Sequence, residues 1–352
     1  MKILCVLYDN PKKGMPKKYP LSKLPVIKKY PDGQTLPTPK GRDFKPGTLL
    51  GCVSGELGLR KFLQKNGHKL VVTSDKDGKG CRADKELKDA DIVISQPFWP
   101  YYLTREKMES APNLKYAITA GIGSDHVDLQ AAMDHNIDVY EVTYCNSRSV
   151  AEHIVMMIIS LVRDYHNQHA IVNRGGWNIA DAVHRSYDVE GMHIGTVAAG
   201  RIGLDALRKM KPFGVHLHYF DKHRLPKSVE KELNLKFHSS VESLVKVCDV
   251  VTINCPLHPE TENLFDKKMI NCLAKKTILV NVGRGNLIDE RYLIKRLKSN
   301  FLKGAILDVT AEEPLRKNNP LWSCPNLILT QHTGGGYKDE IIDKVNFFLN
   351  NF

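Results

Sequence analysis

Along this chain, short apolar runs alternate with stretches whose apolar positions recur at helical spacing. The clearest unit spans residues 192–224, MHIGTVAAGRIGLDALRKMKPFGVHLHYFDKHR. An apolar run with Ile194, Thr196 and Val197 predicts a buried parallel strand. A turn of small residues follows. The next segment carries Leu204, Leu207 and Met210 on one face and predicts an amphipathic helix. Residues 215–220 predict a second strand, which stops at Asp221.

The alternation recurs on both sides of this unit. The N-terminal MKILCVLYD predicts a first strand, 58–66 a helix, and 69–73, 91–95, 114–119 and 139–142 further strands. A long helical pattern starts near Ser149, with Ala151, Ile154, Val155, Ile158 and Leu161 apolar. Later strands are expected at 250–254, 277–282, 304–309 and 327–330. Between these lie a Pro/Lys/Gly loop at 10–46 and a turn cluster at 75–80. A rigid, aromatic segment, Gln96-Pro97-Phe98-Trp99-Pro100, closes the third strand and suits either the wall of a binding site or ordinary core. Strand–helix alternation in 1–146 and again from 192 to about 331 predicts an α/β protein. It would have two doubly wound, Rossmann-like parallel-sheet domains, with the active site in the cleft between them.

Composition narrows the function classes. A chain of 352 residues accommodates two domains. The formal charge of +12 raises nucleic acid as a partner, but in the first 45 residues Lys and Arg outnumber Asp and Glu by 11 to 3. That region is proline-rich and lacks a basic helix interleaved with aromatics, so a solvated loop explains the charge and no nucleic-acid partner is expected. The eight cysteines show neither CxxC pairs nor metal-ligand spacing. They read as free thiols in a reducing compartment, with no metal site. No apolar run approaches the roughly 20 residues of a membrane span. The first strand lacks the long apolar core and cleavage site of a signal peptide. A cytoplasmic protein is the expectation.

The chemistry starts at Ala198-x-Gly200-x-x-Gly203. Strand, small-residue turn, helix, strand and a terminal acid form a dinucleotide-binding fingerprint, with Ala198 in place of its first glycine. Gly200 lets backbone approach a pyrophosphate, and Gly203 lets helix and strand pack closely. Asp221 accepts hydrogen bonds from ribose hydroxyls and repels a 2′-phosphate, which favours NAD over NADP, although Lys222 follows it directly. Polar residues recur at the carboxyl ends of later strands. Asp221, Arg284, Asp308 and His332 together make a site.

Particular segments resemble NAD-dependent formate dehydrogenases, within the D-2-hydroxyacid dehydrogenase superfamily. They are ITAGIGSDHVDLQAA, VTYCNSRSVAEH, GGWNIAD, EGMHIGTVAAGRIGL, HLHYFDKHRLP and INCPLHPETE, together with KYPDGQTLPTPKGRDFKPG and QPFWP. The resemblance covers about residues 1–262. It implies that the Ile122 backbone and the Asn146 amide hold the formate carboxylate, that Arg284 clamps it, and that His332 stands beside it. Pro97 and Phe98 would form an apolar wall. Ser147, Ala198, Gly200, Arg201, Ile202, Gly203, Asp221, Pro256, Leu257, His258, Pro259, Glu260, Val282, Asp308, His332 and Gly335 would line NAD. A homodimer is implied, with the helix after Ser149 as its interface. Residues 1–146 with 334–352 would form the substrate domain, and 147–333 the NAD-binding domain.

The final segments, VNVGRGNLIDE, ILDVTAEEPLRKNNPLW and PNLILTQHTGGG, resemble D-2-hydroxyacid dehydrogenases more generally. Formate dehydrogenases carry glutamine where this chain has Glu313, usually threonine at Val282, and Pro-His-Ile-Ser-Gly where it reads Gln-His-Thr-Gly-Gly. Position 313 matters chemically. Formate oxidation moves only a hydride, whereas 2-hydroxy acid oxidation also removes a hydroxyl proton and needs a base. A carboxylate at His332 would raise the imidazole pKa. Either Glu313 reaches His332 and the dyad is the hydroxyacid type, or Glu313 or Glu312 is a solvated acid before Pro314. Formate oxidation with NAD is the first expectation and a small 2-hydroxy or 2-keto acid the alternative. A non-catalytic NAD-sensing protein comes third, disfavoured by intact Arg284 and His332.

Overall fold

The computed structural model describes residues 1–6, 59–141 and 146–335. The loop expected at 10–46, with Tyr144 and Cys145, lies outside the described residues. The described chain forms two compact units, one within Met1–Asn146 and the other Ser147–Gly335.

The first unit is a five-stranded parallel sheet: β1 Lys2–Val6, β2 Lys69–Thr73, β3 Ile92–Ser95, β4 Tyr116–Thr119 and β5 Asp138–Glu141, in the order β2-β1-β3-β4-β5. The inner strands β1, β3 and β4 are buried almost throughout, hence their apolar runs, whereas the edge strand β5, DVYE, is only partly buried. The helix Leu59–Lys65 lies within the predicted span. The helices Arg82–Leu87, Arg105–Glu109 and Leu129–Asp134 were not anticipated. They are too short to show a helical period, and two are marked only by caps. Thr104 Oγ1 accepts from Lys107 N–H at 3.4 Å, and Asp128 Oδ1 from Ala131 N–H at 2.9 Å.

The second unit is a seven-stranded parallel sheet: β6 His193–Val197, β7 His216–Phe220, β8 Lys236–Phe237, β9 Val250–Ile253, β10 Ile278–Asn281, β11 Gly304–Leu307 and β12 Leu327–Leu329. Its order is β12-β11-β10-β9-β6-β7-β8. The chain lays down β6, β7 and β8 in one direction and then returns to place β9 on the other side of β6. That reversal is a topological switch point, where open α/β sheets bind ligands. The helix Ser147–Val162 buries Ala151, Ile154, Met157 and Ile158 in the same core as Ala206, Leu207 and Met210 of the helix Arg201–Met210. Val155 and Leu161 only flank that core.

Register carries the functional residues to one edge. Asn281 of β10 lies level with Leu307 of β11, and Leu307 level with Leu329 of β12. Arg284, Asp308 and His332 therefore emerge from neighbouring strand ends. A file of imidazoles crosses the other side of the sheet. His193 Nδ1 lies 2.8 Å from His218 Nε2, and His218 Nδ1 lies 2.9 Å from His238 Nε2.

Candidate active site

The turn after β6 has the features of a dinucleotide cradle. Ala198 adopts φ +70°, a left-handed conformation that a Cβ disfavours. It is held there by its own N–H donating to Phe220 O at 2.9 Å and by the Thr196 hydroxyl donating to its carbonyl at 2.8 Å. A Cβ at Gly203 would overlap the Ala198 carbonyl and the Thr196 hydroxyl, so only glycine lets the helix start this close to the strand. Gly200 is different. Its φ is ordinary and a Cβ there would meet nothing within 4 Å. The open space lies at the start of the ten-residue helix Arg201–Met210, which no side chain caps. A glycine facing open space before an uncapped helix N-terminus fits a pyrophosphate.

Asp221 ends β7 at the same edge. Its Oδ2 accepts the Ala199 N–H at 2.8 Å and its Oδ1 the His223 N–H at 2.9 Å. These bonds lock the turn to the strand end and leave each oxygen a further lone pair for a ribose hydroxyl. The Pro256–Glu260 segment follows β9 across the switch point. Thr261 closes it: its hydroxyl donates to Pro256 O and accepts the His258 N–H, both at 2.7 Å. Glu260 forms an ion pair with Lys222.

At the ends of β10, β11 and β12 a second group assembles. Asn281 side-chain atoms accept the Gly283 N–H at 3.1 Å and donate to Arg284 O at 2.8 Å, pinning the turn that presents Arg284. A Cβ at Gly285 would run into the Thr310 backbone, so the two loops can touch only through glycine. Asp308 is almost wholly buried. Its carboxylate accepts from the Thr330 hydroxyl at 2.6 Å, Thr333 N–H at 2.9 Å and Gly334 N–H at 2.8 Å, and His153 Nε2 stands 3.6 Å away. The backbone carbonyl of Asp308 accepts His332 N–H at 2.8 Å. Asp308 thus organises the loop that holds His332 in its left-handed conformation, φ +57°.

Glu313 does reach His332. Its Oε2 lies 2.8 Å from Nδ1, and its Oε1 accepts the Thr310 N–H at 3.0 Å. Glu312 is bound to Arg316 instead. A carboxylate on Nδ1 fixes the proton there. Burial lowers the imidazole pKa and the Arg284 guanidinium pushes the same way, but Glu313 outweighs both, and the His332 pKa lies above its usual 6.5.

Three comparisons place this geometry among known proteins. Residues 155–334 match the family described as D-isomer specific 2-hydroxyacid dehydrogenase, NAD binding domain. Over 334 residues the chain is 58% identical to the formate dehydrogenase of Pseudomonas sp. (strain 101), covering 95% of this chain and 83% of that protein. The chain belongs to the formate dehydrogenase family. Among solved structures, a Granulicella formate dehydrogenase superposes with a TM-score of 0.84 at 50% identity, over 100% of this chain and 95% of the other. The NAD-dependent formate dehydrogenase of Staphylococcus aureus, in complex with NAD, does so with a TM-score of 0.79 at 33% identity, over 100% and 94% of the two chains.

The other residues expected to hold substrate in a formate dehydrogenase belong to the first unit. Ile122 sits in the turn after β4, where Gly123 takes φ +98°. That turn is anchored by the Ser124 hydroxyl donating to Glu141 Oε1 at 2.8 Å and by Ser95 Oγ 2.6 Å from His126 Nε2, both pairs buried. Pro97 and Phe98 are half-buried between Gln96 and Trp99, which form an isolated bridge. Asn146 directly precedes the helix Ser147–Val162. Sequence reasoning missed Asn281, Thr330, Glu141, Ser124 and His126. Asn281 and Glu141 are buried at the last positions of their strands and Thr330 directly follows one, a position that was the available signal; Ser124 and His126 lie buried in the loop after β4, where the sequence offered none.

Proposed function

We propose that the protein oxidises formate to carbon dioxide and passes the hydride to NAD. The observation that carries this reading is the gathering of Arg284, Asp308 and His332 along the carboxyl edge of the sheet whose switch point bears the dinucleotide turn. Bound NAD supplies the hydride acceptor. The turn at Gly200–Gly203 holds its pyrophosphate and Asp221 its ribose hydroxyls. Ser147, Arg201, Ile202, the Pro256–Glu260 segment, Val282 and Gly335 are assigned to its remaining surface. Formate has no hydroxyl proton to remove, so the chain must bind a small anion, orient its C–H bond and exclude water. The planar guanidinium of Arg284 suits the carboxylate. Ile122 and Asn146 are assigned to the same anion, and Pro97 and Phe98 to the apolar wall.

One observation favours a second activity at this site: the Glu313–His332 hydrogen bond. With NADH bound to supply the hydride, a protonated His332 would give the keto oxygen its proton, the requirement for reducing a 2-keto acid to a 2-hydroxy acid. Absorbance of NADH decides between the readings. Formate with NAD should produce NADH, and Arg284→Ala should lower kcat/KM by about 10²–10³-fold. Turnover of glyoxylate or pyruvate with none of formate would reverse the order of the two.

The protein is also assigned as a homodimer in the cytoplasm. Support for the first comes from the helices Tyr165–Asn173 and Ile179–Arg185, which bury none of their residues. Around them Tyr165, Val172, Trp177, Ile179, Val183 and Tyr187 are exposed. An apolar surface of this kind suits a second copy of the chain. Support for the second is that the described cysteines are free thiols.

A further inference from the structure

Lys222 follows Asp221 directly, at the place where a dinucleotide-binding unit meets the adenosine ribose. A cation there is the usual means of accepting a 2′-phosphate. Here the ammonium is already engaged. Glu260, at the end of the segment across the switch point, forms an ion pair with it and is held below its usual carboxylate pKa by that contact. Asp221 takes no part in the pair, since its oxygens face the Ala199 and His223 amides. The next cation along, Arg224, is taken up by Glu230 through bonds of 2.9 and 3.0 Å and lies over the Phe237 ring. Asp221 and Glu260 thus set two carboxylates against the one ammonium of Lys222, a net charge that opposes a 2′-phosphate.

We propose that Glu260 is a cofactor-specificity residue, which holds Lys222 neutralised and, together with Asp221, sets the site against NADP. The inference rests on the dinucleotide reading of the β6–β7 turn. Asp221 repels the 2′-phosphate directly. Glu260 withholds the Lys222 ammonium, the cation next to Asp221 that would answer it. Both members of the pair are about two-thirds exposed, so the pair is weakly held and screened by salt. Releasing Lys222 is worth a few-fold in affinity rather than orders of magnitude.

The test is calorimetric binding of 2′,5′-ADP and of 5′-AMP to the whole protein, without turnover. The variants are Asp221→Gln, Glu260→Gln, their double, and the double with Lys222→Ala. Expected is a roughly two- to fivefold gain for 2′,5′-ADP on adding Glu260→Gln to Asp221→Gln. That gain should shrink in high salt, vanish with Lys222→Ala, and exceed any change in 5′-AMP affinity measured against the same Asp221→Gln background. A double variant no better than Asp221→Gln overturns the inference, as does a gain that survives loss of Lys222. Failure of the wild-type protein to bind 5′-AMP or NAD would instead overturn the dinucleotide reading itself. An unchanged far-UV circular dichroism spectrum and melting temperature show that each variant is folded.

Discussion

A carboxylate in place of an amide at one position changes which reactions the imidazole can serve. Glu313 is bonded to His332 Nδ1 and raises its pKa, so the imidazolium persists to higher pH than a histidine facing glutamine would allow. For a 2-keto acid that is an advantage, since the protonated form donates. For formate it is a disadvantage, because an imidazolium stabilises the anionic ground state more than a transition state from which negative charge is leaving. Glu313→Gln should therefore shift the acid limb of formate oxidation to lower pH and draw the alkaline limb of any keto-acid reduction downward as well. Rates measured against pH for both substrates check this; two unmoved limbs would remove the dyad from the chemistry. The identity of residue 313 was readable in advance. Its contact was not, because Glu312 and Glu313 precede Pro314 equally well in one dimension.

Strands and loops carry a different kind of information. The imidazole file His193–His218–His238 links three neighbouring strand segments, and the ring of His216 stacks on His193 at 4.7 Å. His218 is 3% exposed, and its pKa is pushed down to about 4 by burial first, with His238, His193, Lys236 and His216 adding to it. The folded protein keeps this ring neutral, whereas the unfolded chain protonates it below its ordinary 6.5. Stability from this source is complete above pH 6.5 and is lost as pH falls toward 4. Urea unfolding across that window should show a smaller loss in His218→Gln than in the parent protein; equal losses would mean the file does not drive acid lability. Strand positions were readable from apolar runs because both sheets are parallel and their inner strands are covered on both faces. The short helices were not, since caps such as Asp128 look like any other loop acid until the chain folds.

At the scale of the molecule, exposed apolar surface is concentrated on one segment. Trp177 is 80% exposed, Val183 68% and Ile179 65%, which is costly for a lone chain in water. If the proposed self-association uses this surface, Trp177→Glu lowers the mass seen by light scattering during gel filtration; an unchanged mass would remove this surface from it. The periodic pattern after Ser149 pointed to a linker helix between domains and the family resemblance to an interface. The helix Ser147–Val162 buries most of its apolar residues within its own unit, and the exposed set belongs mainly to the segment that follows it.

Some features followed from the sequence unaided, because they depend on local chain chemistry. Apolar runs separated by glycine turns specify parallel strands and their crossovers. The spacing of Gly200, Gly203 and Asp221 specifies a tight strand–turn–helix that ends at a strand-end acid. The placement of Arg284 and His332 beyond strand ends was readable as well. The tertiary structure decided what depends on register and on loops far apart in the chain. It set Asp308 to tether the His332 loop through Thr330, Thr333 and Gly334, and it gave Glu313 rather than Glu312 to the imidazole. It also tied Lys222 to Glu260. A hydrogen bond or an ion pair is made at about 3 Å, a distance that only the packed sheet sets between residues so separated in sequence.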